Sequence, residues 1–176
     1  TVAKAAVGGM NFAWAGQSCG SNSRLLVHES LYDEVVGRVV AQVAAIRVGD
    51  ALDPASQMGP LNSVAHYQRV LTFIESARQD GAKLLTGGER PAGEAFRRGY
   101  WLRPTVYGDV TMSMRVAREE IFGPILSILK WKTQEEAIAM ANATEYGLGS
   151  GVWTHDLKVA MTFARALQSG FVWINT

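Results

Sequence analysis

The chain has 176 residues, 48% apolar and 19% charged, with a net charge of +1. That is the composition of one folded domain; it excludes long disorder, and so small a charge gives no field for nucleic acid or an anionic membrane. A single cysteine excludes a disulfide framework and a cysteine-built zinc site, and no apolar run approaches the roughly 18 residues of a membrane span, so a cytoplasmic protein with at most a lone reactive thiol is expected.

Residues 1–15 have helical spacing through Val2, Ala5, Ala6, Met10 and Ala13. Arg24–His28 (RLLVH) reads as a short buried strand. Glu29–Ile46 carries apolar residues at 31, 35, 39 and 43 and at 32, 36 and 40, the wide stripe of a helix packed on a sheet. The Pro- and Gly-containing stretch 49–60 is a loop. Ser63–Gln79 returns to helical period through Tyr67, Val70, Leu71, Ile74 and Ala77, and Gly81 ends it. Ala82–Leu85 suits a strand, and 87–99 an exposed loop. Tyr100–Tyr107 contains Pro104, which predicts an edge or irregular strand.

Ile125–Trp131 (ILSILKW) is nearly continuous in apolar residues, as buried parallel strands are. Thr133 with Glu136 three residues on is a capping box opening a helix to Asn142. Gly149–Thr154 reads as a strand. Asp156 caps a helix with Leu157, Ala160, Phe163, Ala164 and Leu167 inward, and Gly170–Thr176 is a last strand. Strands alternating with helices predict an α/β fold, a three-layer αβα sandwich with a mostly parallel sheet. Both ends are abrupt, so a piece of a longer chain is expected.

Gly16-Gln17-Ser18-Cys19-Gly20 is the densest chemical signal. Flanking glycines let the backbone turn tightly around a thiol, and oriented backbone N–H groups can activate it. The alternative is an inert, packed Cys19. The same residues match G-x-S-x-G, a hydrolase elbow with Ser18 as nucleophile, but that motif needs a strand before it and a helix after, the reverse of the predicted order. Glu119 to Pro124 (EEIFGP) sets two acids and an aromatic before a buried strand. It reads either as turn chemistry with solvated acids or as a carboxylate and ring suited to a sugar and a flat heterocycle. Gly147–Gly151 lacks the spacing of a phosphate loop, and His28, His66 and His155 lack metal-ligand spacing, so no metal is expected. Arg97-Arg98 reads as a solvated pair rather than a phosphate clamp.

Taken together, GQSC at 16–19 with Arg24 five residues on, VGDALDP at 48–54, MGPL at 58–61, GG at 87–88, RPTV at 103–106, EEIFGP at 119–124, ANATEYGLGSGVWT at 141–154 and GFVWINT at 170–176 resemble the NAD(P)-dependent aldehyde dehydrogenase superfamily from end to end. The resemblance implies a Rossmann-like sheet and the catalytic domain over 1–176, with the cofactor-binding domain and a C-terminal tail outside the chain. It implies that Cys19 attacks an aldehyde to give a thiohemiacetal and then a thioester, its N–H forming part of the oxyanion hole. Glu120 would bind the nicotinamide ribose and Phe122 pack on the nicotinamide end of NAD or NADP. Arg69 and His66, the latter where the family often has glutamine, would reach the same ribose. Trp14 would line the substrate path, or else pack in the core, with Ser18 and Gly20 leaving room beside the thiol. The implied parent is a homo-oligomer, dimer or tetramer. The segment by itself is expected to be inactive, lacking its general base and half its oxyanion hole. A serine hydrolase using Ser18 and a non-catalytic assembly module are the alternatives.

Overall fold

A computed structural model describes residues 2–176. The first helix, α1 (Val2–Gly9), stops well short of residue 15. Asn11 and Ala15 take left-handed backbone at φ 54° and 51°, with one 3-10 turn, Phe12–Trp14, between them. Left-handed residues cannot continue a right-handed helix, so the predicted helix is divided there. Strand β1 (Arg24–His28) follows, and then α2 (Tyr32–Ala44), entered through a 3-10 turn at Glu29–Leu31.

Helix α3 (Val64–Gln79) starts at Ser63, whose hydroxyl accepts the His66 N–H at 3.2 Å. Its inward stripe, Tyr67, Val70, Phe73 and Ala77, is buried. Strand β2 (Lys83–Thr86) and strand β3 (Thr105–Val110) bracket the long loop. A short helix α4 (Arg115–Arg118) then leads to strand β4 (Ile125–Trp131).

The sheet runs β1-β4-β3-β2. Strand β4 lies between two parallel neighbours, β1 and β3, and β2 is an antiparallel edge. A strand covered on both faces has no solvent side to decorate, which is why Ile125, Leu126, Ile128 and Leu129 are fully buried. The strand expected at Tyr100–Tyr107 begins instead at Thr105 and occupies an interior position. Pro104 sits one residue before it, where its missing N–H removes no ladder bond. The β3–β4 register shifts between Tyr107 and Val110, at left-handed Asp109 (φ 51°). Tyr32 Oη accepts the N–H that this bulge releases, at 2.8 Å.

Beyond β4, α5 (Gln134–Asn142) opens as the capping box predicts, with Thr133 Oγ1 accepting the Glu136 N–H. The Glu136 carboxylate reaches back one residue further than expected, to the N–H of Lys132 at 2.8 Å. Strand β5 (Gly149–Val152), helix α6 (Leu157–Ala166) and strand β6 (Phe171–Ile174) complete the chain. Strands β5 and β6 pair in parallel as a separate two-stranded sheet rather than extending the first. On α6, Ala160 is buried, but Leu157, expected inward, is 75% exposed at the first turn.

Candidate active site

The cysteine loop is built from backbone turns. Ala15 N–H donates to Phe12 O, Gly16 N–H to Asn11 O, Gln17 N–H to Trp14 O and Ser21 N–H to Ser18 O. Asn22 N–H returns the chain to Gly9 O at the end of α1. Cys19 stands at the crest of these turns, exposed. Its backbone N–H has no acceptor among the described residues. The thiol is therefore not packed away in the core. Ser18 is committed locally, its Oγ accepting the Gly20 N–H at 3.1 Å. A 3-10 turn precedes Ser18 and strand β1 follows it, so the strand–turn–helix elbow that a serine hydrolase needs does not form. Trp14 is 64% exposed, so core packing does not account for it.

The second predicted cluster is a strap between α4 and β4, and helix α3 holds it. Arg69 donates from Nη1 to Ile121 O at 2.6 Å and from Nη2 to Glu120 O at 2.7 Å. One turn earlier, His66 Nε2 lies 2.6 Å from Phe122 O, so this nitrogen carries the proton and donates. Three consecutive carbonyls thus face three donors spaced i and i+3 on one helix. Phe122 takes left-handed backbone (φ 59°), a costly conformation for an aromatic residue. The Arg69 guanidinium also stacks over Phe73 of α3, 4.9 Å from its centroid, and Arg115 covers the same ring at 3.9 Å. Glu119 pairs with Arg115 at 2.9 Å, which pulls its carboxyl below the usual range. The Glu120 carboxylate takes no hydrogen bond or ion pair from the described residues.

Strap and cysteine loop meet at two glycines. A side chain at Gly16 would overlap the Gly123 carbonyl, and one at Gly123 would fall 2.8 Å from Val70 Cγ2 on α3. Gly16 is also left-handed, at φ 67°. Val70, Gly123 and Gly16 therefore stack in contact, leading from the helix through the strap to the loop that carries Cys19. Gln17 adds a second link, its Oε1 accepting the Asn62 N–H at 3.1 Å. The sequence singled out both clusters but not this stack. Its only sequence signal was the glycine in each motif.

Arg24 serves the frame. Its guanidinium donates to Met140 O at 2.9 Å and Ala141 O at 3.0 Å, at the C-terminal end of α5, and burial pulls its pKa down. A helix C-terminus carries the partial negative charge that a buried cation needs. Gly147–Gly151 is a bend with close packing: a side chain at Gly149 would meet the Phe171 ring at 2.6 Å. Arg97 pairs with Glu94 at 3.0 Å. No group of three or more metal-ligating side chains occurs among the described residues, and no helix there is long and apolar enough to cross a membrane.

Residues 1–176 match the aldehyde dehydrogenase family along their whole length. The chain belongs to that family. It is 48% identical to aldehyde dehydrogenase tropH of Talaromyces stipitatus over 171 residues, which are 95% of this chain and 33% of that protein. With the peroxisomal aminoaldehyde dehydrogenase 1 of Pisum sativum it shares 47% identity, over 91% of this chain and 31% of the other. Its fold superimposes on betaine aldehyde dehydrogenase from Staphylococcus aureus, solved with NAD+ and a BME-modified cysteine, at a TM-score of 0.94. Identity there is 35%, over 98% of this chain and 35% of that one. The chain thus spans about a third of the length of these aldehyde dehydrogenases. The mostly parallel α/β sheet derived above is the fold of this family.

Proposed function

We propose that this chain is the cysteine-bearing catalytic segment of a cytoplasmic, NAD(P)-dependent enzyme that oxidises an aldehyde to a carboxylic acid. The observation that carries the reading is Cys19 itself: a family member's sole cysteine, exposed on a turn with an unused N–H beside it. The Cys19 thiolate adds to the aldehyde carbon, forming a C–S bond as the carbonyl electron pair moves onto oxygen. The Cys19 N–H then stabilises that oxyanion, acting where charge develops. When bound, the nicotinamide supplies the hydride acceptor. In the last stage water attacks the acyl carbon, and the Cys19 sulfur leaves as thiolate. Ser18 and Gly20, small neighbours, leave space beside the sulfur, and Trp14 supplies an exposed ring to line the substrate path.

The strap suits the cofactor. Glu120 offers an unpaired, partly buried carboxylate to ribose hydroxyls, and Phe122 a partly exposed ring to the nicotinamide end. Arg69 and His66 belong to the same end of the site. That the Staphylococcus aureus relative was solved with NAD+ supports reading the strap as a cofactor surface. A homo-oligomeric parent fits strand β6, whose Phe171 and Trp173 are 50% and 53% exposed.

The reading is tested in the longest natural polypeptide that carries this sequence. Iodoacetamide should modify Cys19 rapidly and abolish NADH formation, and Cys19→Ser should abolish it too. NADH formation surviving in Cys19→Ser would overturn the assignment. The 176-residue chain alone should form no NADH from aldehyde and NAD.

A further inference from the structure

We propose that His66 and Arg69 are positioning residues: together they clamp the carbonyls of Glu120, Ile121 and Phe122 and, through Gly123 and Gly16, set the cysteine loop. The inference rests on the reading of Cys19, Glu120 and Phe122 given above, and it changes what the two α3 residues do. Rather than touching the cofactor first, they hold the backbone that presents Glu120 and Phe122.

The geometry supports this in three ways. Both Arg69 Nη atoms and His66 Nε2 are already bonded at 2.6–2.7 Å to strap carbonyls, with no other acceptor among the described residues. The two Arg69 bonds are charge-assisted and so of the stronger kind, and a planar guanidinium spanning two successive carbonyls fixes direction as well as distance. The held residue, Phe122, has a backbone conformation that an aromatic residue does not keep without external restraint (φ 59°). Finally, the clamped segment ends at Gly123, which touches Val70 of α3 on one side and Gly16 of the cysteine loop on the other. Any outward movement of the strap removes the surface against which Gly16 is folded, three residues before Cys19.

The proposal separates from a direct ribose contact without cofactor. If the residues only touch ribose, removing them leaves the cofactor-free protein unchanged. If they clamp, the cofactor-free cysteine loop changes. His66→Leu, Arg69→Met and the conservative pair His66→Gln and Arg69→Lys would be made in the longest natural polypeptide. Amide hydrogen exchange at residues 120–125 and the Cys19 alkylation rate would be read without cofactor, and NAD dissociation constants separately. His66→Leu and Arg69→Met should each raise exchange at 120–125 about tenfold, the loss of one or two such bonds, and shift the Cys19 alkylation rate at least threefold. The dissociation constant for NAD should rise in parallel. His66→Gln and Arg69→Lys, which keep a donor, should recover most of each effect.

Phe122→Gly supplies an internal control, because glycine accepts this backbone without strain. In that background, removing Arg69 or His66 should change exchange by less than in the parent. Exchange and alkylation within twofold of the parent in both His66→Leu and Arg69→Met would overturn the clamp, whatever happens to NAD affinity. A parent that binds no NAD would instead overturn the cofactor reading of Glu120 and Phe122, while the exchange and alkylation data would still decide the clamp.

Discussion

The strap at 119–124 and the cysteine loop at 16–22 are both sharp, left-handed departures from regular structure, yet they are held in opposite ways. The cysteine loop is closed largely by its own backbone, its turns bonding to carbonyls three to five residues back, with Asn22 N–H reaching further, to Gly9 O at the end of α1. The strap is held from outside, by side chains of α3 more than fifty residues earlier in the chain. A self-closed turn presents its reactive group wherever the chain happens to emerge. A strap tied to a helix takes its position from the helix. Joining the two at Gly16 and Gly123 ties to helix α3 a loop otherwise anchored by Asn22 on α1 and by Gln17 on Asn62.

The largest expected effect breaks the joint. Gly16→Ala meets both a left-handed φ and the Gly123 carbonyl, and should destabilise the protein by about 2–5 kcal/mol, read as a lower urea midpoint. A midpoint unchanged from the parent would mean that the two regions are not in contact. Arg24→Met comes next. It strips the Met140 and Ala141 carbonyls of a charged donor, and should cost about 2–3 kcal/mol in thermal or urea unfolding.

A smaller change should act on the strap first. Ser63→Ala removes the cap of α3 and should cost about 1 kcal/mol. Because the strap hangs on that helix and packs on Gly16, amide exchange at 120–123 should rise in this variant, and exchange at Gly16 and Gln17 should rise with it by a smaller factor. The smallest effect concerns Glu119, exposed and paired with Arg115. Its pKa is lowered in the folded state, so the pair stabilises above the ordinary carboxylate value of 4.5 and this is lost as pH falls through the folded value. Solvent screening holds the contribution to a few tenths of a kcal/mol. Glu119→Gln should lower stability by that amount at neutral pH and leave it unchanged at low pH, so that the acid limb of the stability–pH curve flattens.

This contrast also decides what could be read from the sequence. Strand Ile125–Trp131, strand Arg24–His28 and the caps at Thr133 and Asp156 were legible because each is a local pattern of hydrophobicity or hydrogen bonding. GQSCG and EEIFGP stood out for the same reason. The break after Gly9 was not legible, since Asn11 and Ala15 are left-handed for the sake of a turn that closes elsewhere in the loop. Pro104 argued for an edge because a proline weakens a ladder, and a shift of one residue outside the strand removes the argument. Leu157 fits the helical stripe of α6, but as the helix's first residue it is exposed while Ala160, three residues on, is buried. The roles of Arg69 and His66 were hidden most deeply. Their partners are backbone carbonyls, which leave no trace in residue identity.

The sheet order has a consequence for how the protein is made. Strand β1 has one partner, β4, whose first paired residue is synthesised about a hundred residues later. At the usual pace of translation, roughly 5–20 residues per second, β1 and the cysteine loop beside it wait on the order of 5–20 seconds for the strand that fixes them. Arg24 waits longer still, for the end of α5. The part of the chain that bears the thiol thus emerges well before the strand and the helix end that hold its neighbour β1 in place.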